Sequence, residues 1–215
     1  MSNSGKAPGS SARTSADGRR LGPPTSASCG RLGPIDGILA ADFTLTLGDE
    51  FQALLLYPSD TMDVLAETEH ELKGIPLRYG VGLGCLSTDL KSKTIGMDGP
   101  CFHRAREAIT KGRRLGRWAI VSGFGDDDNL LNAVLGLIGA IRSQWTDIQS
   151  ETVYLARSLD THKDVARELG RHTSTISKAL KSASFEAVDA GERAAELILS
   201  RHGRTTPPHA EHGRA

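Results

Sequence analysis

The stretch Thr161-His-Lys-Asp-Val-Ala-Arg-Glu-Leu-Gly-Arg-His-Thr-Ser-Thr-Ile-Ser-Lys-Ala-Leu180 leaves few folds open to it. Two helices cross at roughly 90–120° through a tight turn only when the contact residue is small and the turn accepts an unusual backbone conformation. Ala166 supplies the small contact, and Gly170, four residues on, supplies the turn. Val165, Leu169, Ile176 and Leu180 then form an apolar seam between the helices, so a helix-turn-helix is expected. If the second helix enters a major groove, its forward face is Thr173, Ser174, Thr175, Ser177, Lys178 and Lys181. Hydroxyls near the start of such a helix bond phosphates or base edges, and lysines neutralise phosphates. Between Thr161 and Ala183 the cations Lys163, Arg167, Arg171, Lys178 and Lys181 face only Asp164 and Glu168. The plainer alternative is a helical hairpin packed against its neighbour.

That local excess is hidden in the total, because the 215 residues carry 26 Lys and Arg against 26 Asp and Glu. A neutral sum excludes a uniformly basic nucleic-acid coat and an acidic solvating protein. Residues 1–34 are dominated by Ser, Gly, Ala, Pro and Arg, and their cations Lys6, Arg13, Arg19, Arg20 and Arg31 face only Asp17. The composition predicts a disordered basic arm, solvated or touching phosphates, and residues 201–215 predict a second disordered tail. His209 and His212 stand at metal-ligand spacing in that tail, but no third ligand accompanies them. Cys29, Cys85 and Cys101 are odd in number and far apart, so neither a disulfide framework nor a zinc knuckle follows. The longest apolar run, Leu130 to Ile141, falls well short of the roughly 20 residues that cross a membrane. With no secretory signal evident, a cytoplasmic protein without membrane contact is expected.

Between the tails two regions differ in pattern. In residues 35–124, Asp42–Leu47 and Phe51–Leu56 predict strands flanking Gly48-Asp49-Glu50, with Phe43, Leu45 and Leu47 on one face. A helix from Pro58 to about Gly74, a strand over Leu77–Leu86, a helix opened by Asp98-Gly-Pro100 and a strand over Arg117–Val121 follow. The order β-β-α-β-α-β indicates a mixed sheet with helices on one face. Residues 125–200 are all helical. Asp126-Asp127-Asp128 suits the positive start of the Leu130–Ile141 helix better than it suits a metal, since three consecutive helix-start residues point in different directions.

Two features of the first region bear on chemistry. Asp49 and Glu50 at a hairpin turn are candidate ligands for Mg²⁺ or Mn²⁺, which take carboxylates together with phosphate oxygens, although Gly-Asp-Glu is also an ordinary turn sequence. Asp98, His103, Arg104 and Arg106 lie around the start of a helix, where Arg104 and Arg106 are candidate phosphate ligands; the alternative is surface pairing for Arg106. Gly80, Gly82 and Gly84 lie inside a strand and lack the dinucleotide-binding spacing, so close backbone approach or a bulge is their expected meaning.

Thr46-Leu-Gly-Asp-Glu-Phe-Gln-Ala-Leu54, Leu77-Arg-Tyr-Gly-Val-Gly-Leu-Gly84 and Met97-Asp-Gly-Pro-Cys-Phe-His-Arg-Ala-Arg-Glu-Ala108, followed by the helix pair above, resemble the SatD family over about Asp42 to Leu199. The resemblance implies an α+β fold: a partial ferredoxin-like or nucleotidyl-cyclase-like mixed sheet, then an all-α helix-turn-helix bundle. It also implies a bacterial cytoplasmic protein. Family members usually begin with a strand ending in Gly-Asp, then Ser-Arg and a long helix. Here the arm occupies that space and no such strand or helix is legible, so Asp49 would lack a partner carboxylate. The expectation is a DNA-binding regulatory or accessory protein, leaning away from catalysis, whose α/β part senses a ligand such as a nucleotide or forms a homodimer. The alternative is a metal-dependent, cyclase-like nucleotide enzyme.

Overall fold

The computed structural model describes residues 8–16, as backbone, together with 37–46 and 48–203. The elements are β1 (Pro8–Ala16), β2 (Leu39–Leu45), β3 (Glu50–Leu55), α1 (Thr61–Glu71), β4 (Leu77–Cys85), α2 (Pro100–Leu115), β5 (Ala119–Ser122), α3 (Asp127–Arg142), α4 (Asp147–Ser158), α5 (His162–Glu168), α6 (Thr173–Ser182) and α7 (Phe185–Ser200). They form a five-stranded sheet in the order β2-β3-β1-β4-β5, with helices, and the α+β class expected from the sequence holds.

The centre of that sheet was not legible. β1 runs antiparallel to both neighbours, with Ser15 opposite Glu50 on β3 and opposite Arg78 on β4. Pro8–Ala16, expected within an arm that holds no strand, therefore fills the slot between β3 and β4. The rest of that expected arm, residues 1–7 and 17–34, lies outside the described residues, as does the tail from 204 onward. Strands are read from apolar alternation, and Gly-Ser-Ser-Ala-Arg-Thr-Ser has none. What recruits the segment is backbone: β3 and β4 are buried along most of their length, and their facing N–H and C=O groups require partners.

Helices cover both faces of the sheet, not the single face that the element order suggested. β4 shows why. Tyr79, Val81 and Leu83 point to the side where Met62 and Leu65 of α1, Leu131, Leu135 and Ile138 of α3, and Val188 and Ile198 of α7 form the main core. Gly80, Gly82 and Gly84 point to the other side and leave bare backbone, onto which α2 settles. A Cβ on Gly82 would stand 2.2 Å from the Cys101 carbonyl oxygen, so close approach is the reason for these glycines. α2 presents Cys101, Phe102, Ala105, Ala108 and Ile109 to that surface, at helical spacing. On β2, Phe43 packs edge-on against Phe51 at 5.5 Å, but register shifts between Leu39 and Thr44 bend the strand, and Leu45 remains 37% exposed. Leu47 lies outside the described residues.

α4, α5 and α6 form a second, smaller cluster around Val153, Val165, Ala166, Ile176, Leu180 and Ala183. α3 and α7, assigned by pattern to the helical region, contribute instead to the sheet's core, so a boundary near residue 124 does not divide one core from the other. Trp145 packs against both clusters, and its Nε1 donates to the Ala183 carbonyl at 2.8 Å.

At the meeting of these layers sits Arg142, whose side chain is only 12% exposed. Its guanidinium lies between the rings of Trp118 and Trp145, at 4.6 and 5.1 Å, and pairs with Glu69 of α1 and Glu192 of α7. Arg157 of α4 pairs with the same Glu192, and Trp118 Nε1 donates to Glu69 at 2.5 Å. Burial pulls the Arg142 pKa down to about 10, opposed by the Glu192 carboxylate.

Two substitutions test this architecture. Arg142→Met takes the guanidinium from the buried Glu192 and the half-buried Glu69, which keep only Arg157 and Trp118 Nε1, and should lower the unfolding free energy by about 2–3 kcal/mol in urea titration; a loss under about 1 kcal/mol would mean that the cluster is dispensable. Gly82→Ala should cost about 1–3 kcal/mol by lifting α2. Gly112→Ala, where the nearest atom would be Ile120 Cγ1 at 3.4 Å, should be neutral or stabilising in the same assay.

Candidate functional site

The pair α5–α6 is built from its turn outward. Thr161 caps α5 by accepting from Asp164 N at 3.2 Å, while its hydroxyl donates to Asp164 Oδ2 at 2.5 Å. That hydrogen bond, aided by Arg167 at 3.0 Å, holds the Asp164 carboxyl below its ordinary pKa. α5 ends at Gly170, where φ is +60°; Arg171 N donates to the Ala166 carbonyl at 2.8 Å and Gly170 N to the Arg167 carbonyl at 3.2 Å. These two bonds form a Schellman ending, which needs a left-handed residue at Gly170. Val165, Ala166, Ile176 and Leu180 are buried and Leu169 half-buried, so all the seam residues read from the sequence meet.

With Ile176 and Leu180 turned inward, Thr173, Ser174, Thr175, Ser177, Lys178 and Lys181 are all exposed. No acid lies in the first turn of α6, and among the described residues Lys178 and Lys181 have no acidic partner. Ser177 Oγ is 3.3 Å from His162 Nδ1 of α5, which ties the two helices on their outer side. The six predicted side chains thus share one continuous solvent-facing surface.

The residues predicted in the α/β part do not converge in this way. Asp49 is exposed beside Gly48, whose φ of +60° makes the turn. Glu50 begins β3 and pairs with Arg113 near the end of α2 at 2.9 Å. Thirteen residues of helix, roughly 20 Å at 1.5 Å per residue, separate Arg113 from Pro100. Asp98 and His103, which pair with each other at 3.1 Å, therefore lie at the opposite end of α2 from the acidic turn, not beside it. Arg104 and Arg106, two positions apart on a helix, point about 200° apart. Arg104 donates to the Leu83 carbonyl at 2.5 Å, whereas Arg106 borders a shallow hollow with Glu107, Thr110, Lys111 and Arg114. Among the described residues no three His, Cys, Asp or Glu side chains come together as metal ligands. β1 ends at Ala16, and Asp17, next in sequence, lies outside the described residues. Of Asp126-Asp127-Asp128, Asp128 accepts from Gly123 N and Phe124 N at 3.1 and 2.9 Å, and Asp127 pairs with His202 at 2.7 Å.

The SatD family model matches residues 35–198, about three quarters of the chain. The chain belongs to the SatD family. In this SatD-family protein the match runs from just before β2 to the last turn of α7, taking in both the acidic turn and the α5–α6 pair. No curated protein and no solved structure gave a match. Among the described residues no helix is long and apolar enough to cross a membrane.

The sequence did not reveal the Arg142 cluster. Its partners come from positions 69, 118, 157 and 192, too scattered for any motif. The one signal was Glu192, a charged residue on the core-facing stripe of α7 with Val188, Ala195 and Leu199.

Gly170→Ala should lose about 1–2 kcal/mol in thermal unfolding because a Cβ there meets no atom but forces a left-handed backbone. Gly170→Asn should recover part of that loss. Equal stability of all three proteins would remove the turn's conformational requirement.

Proposed function

We propose that this SatD-family protein binds duplex DNA through α5–α6 acting as a helix-turn-helix, with α6 as the recognition helix. The observation that carries this reading is the division of α6: Ile176 and Leu180 are locked into the α4–α6 cluster, while four hydroxyls and two lysines face solvent together. The hydroxyls of Thr173, Ser174 and Thr175 lie on the first turn, where unpaired backbone N–H groups and the helix dipole favour a phosphate. Lys178 and Lys181 follow one and two turns later, in reach of the phosphate chain flanking a groove. Short hydroxyls give the helix close access to base edges, and the lysines supply affinity without reading sequence. Arg171 in the turn and Lys163 on α5 extend the cationic surface.

This assignment makes the protein a DNA-binding regulatory or accessory factor. The α/β part serves as its platform, through Arg157 of α4 held by Glu192 of α7.

Fluorescence anisotropy on genomic fragments at graded salt tests the reading. Lys178→Ala combined with Lys181→Ala should reduce affinity on every fragment and lower the slope of log K against log salt by about 2, since each phosphate contact contributes roughly 0.9. Unchanged affinity and slope in the double variant would show that α6 does not face DNA.

A further inference from the structure

We propose that the outer face of the α3–α7 pair is the contact surface between two copies of this chain. The helices run antiparallel: Asp127 at the start of α3 bonds His202 beyond the end of α7, and Trp145 beyond α3 bonds the carbonyl of Ala183 ahead of α7. At their seam Gly191 lies against Val134 and Ile138, so that the helices approach closely. Helical spacing then sets Leu130 and Leu137 of α3, and Ala187, Ala190, Ala194 and Leu197 of α7, on the solvent side of the seam. All six are exposed, and Leu137 at 69% and Leu197 at 63% are the most exposed leucines among the described residues. Charged side chains border the α7 row: Arg193, paired with Asp189, stands three residues after Ala190 and four before Leu197, and Glu186 stands just before Ala187, so the apolar strip has a polar rim on that side.

The shape of the face selects its partner. α3 offers a ridge of two protruding leucines, Leu130 and Leu137, and α7, directly beside it, a row of three alanines, Ala187, Ala190 and Ala194, closed by Leu197, so one surface carries both a protrusion and a shallower strip that accepts it. A two-fold axis through such a face lays the ridge of each copy along the alanine row of the other, which is the self-complementarity that an isologous interface requires. The exposed apolar area is on the order of 500 Å², large for a monomer and, with a polar rim, on the scale of the roughly 800 Å² per partner of a stable association. The chain's own remainder is poorly suited to cover it, since the residues outside the described set include only Met1, Leu21, Leu32, Ile35 and Leu47 as large aliphatic side chains. The α4–α6 unit is joined to this pair at both ends, so the same axis would fix the spacing between two copies of α6. The inference itself does not require that α6 bind DNA.

Sedimentation velocity of the full chain from 1 to 100 μM tests it without DNA. The 22.9 kDa chain should sediment as a dimer. Leu137→Glu and, independently, Leu197→Glu should raise the dimer dissociation constant by about 100-fold or more, with the far-UV circular dichroism of the folded chain unchanged and the thermal midpoint no longer rising with protein concentration. Leu115→Glu, an exposed leucine at the end of α2, should leave the dimer intact. A wild-type protein that is monomeric throughout, including one that then adsorbs to lipid vesicles or another protein through this face, overturns the proposal. So does a dimer that survives both charge substitutions.

Discussion

The buried guanidinium of Arg142 is the point on which the arrangement of layers depends. Its two carboxylate partners come from α1 and α7, its stacking partners from the start of β5 and from the link after α3, and Glu192 passes the connection on to Arg157 of α4. A charge that has lost most of its hydration tolerates few geometries, because each displaced partner leaves an unpaired ion in a low-dielectric interior. Apolar contacts would hold the same helices together without specifying their relative rotation. The ionic cluster supplies that directional constraint, and the rings of Trp118 and Trp145 pack over its guanidinium. Around the cluster, Tyr154 donates to Glu67 at 2.9 Å and stacks on His70 at 3.5 Å, adding a second polar contact between α4 and α1.

The sheet rests on a different economy. β4 divides its two faces between bulky side chains and bare glycine backbone, so the helix layer on one side is thick and that on the other is drawn in tight. α2 consequently has little freedom to slide, since Gly80, Gly82 and Gly84 would each clash if given a side chain. This rigidity fixes where α2 carries its cations. It places Arg113 at the acidic hairpin and Arg104 at the far end of β4, so the acidic turn and the polar residues at the start of α2 stand apart.

What the sequence disclosed and what it concealed follow from the same physics. The α5–α6 pair was legible because helix periodicity, a small contact residue and a left-handed turn are local requirements, all answered within twenty residues. The close approach at the β4 glycines was legible for a similar reason. β1 was not, because a strand recruited by backbone pairing on both sides need not announce itself through apolar alternation. The placement of helices on both faces was equally hidden, since it depends on how α3 and α7, far apart in sequence, return to the sheet. Among the candidate site residues, the exposed row on α6 came together as expected from period alone. Arg104 and Arg106 did not, because adjacency in sequence on a helix is angular separation in space.

The hydrogen bond from Trp145 to Ala183 spans 38 positions of sequence and closes the base of the three-helix unit. The chain thus enters and leaves that unit through neighbouring doorways, in the manner of a cassette set into the α3–α7 hairpin. A body held by two adjacent strands of chain resists twisting far better than one hung from a single linker. Any reorientation of α6 must therefore be shared by α3 and α7, and any strain in the sheet that moves those helices reaches α6 as rotation of the whole cassette. Conversely, the sheet's own connectivity would survive replacement of the cassette by a short loop, which makes the α4–α6 part of this fold separable from the part that holds it.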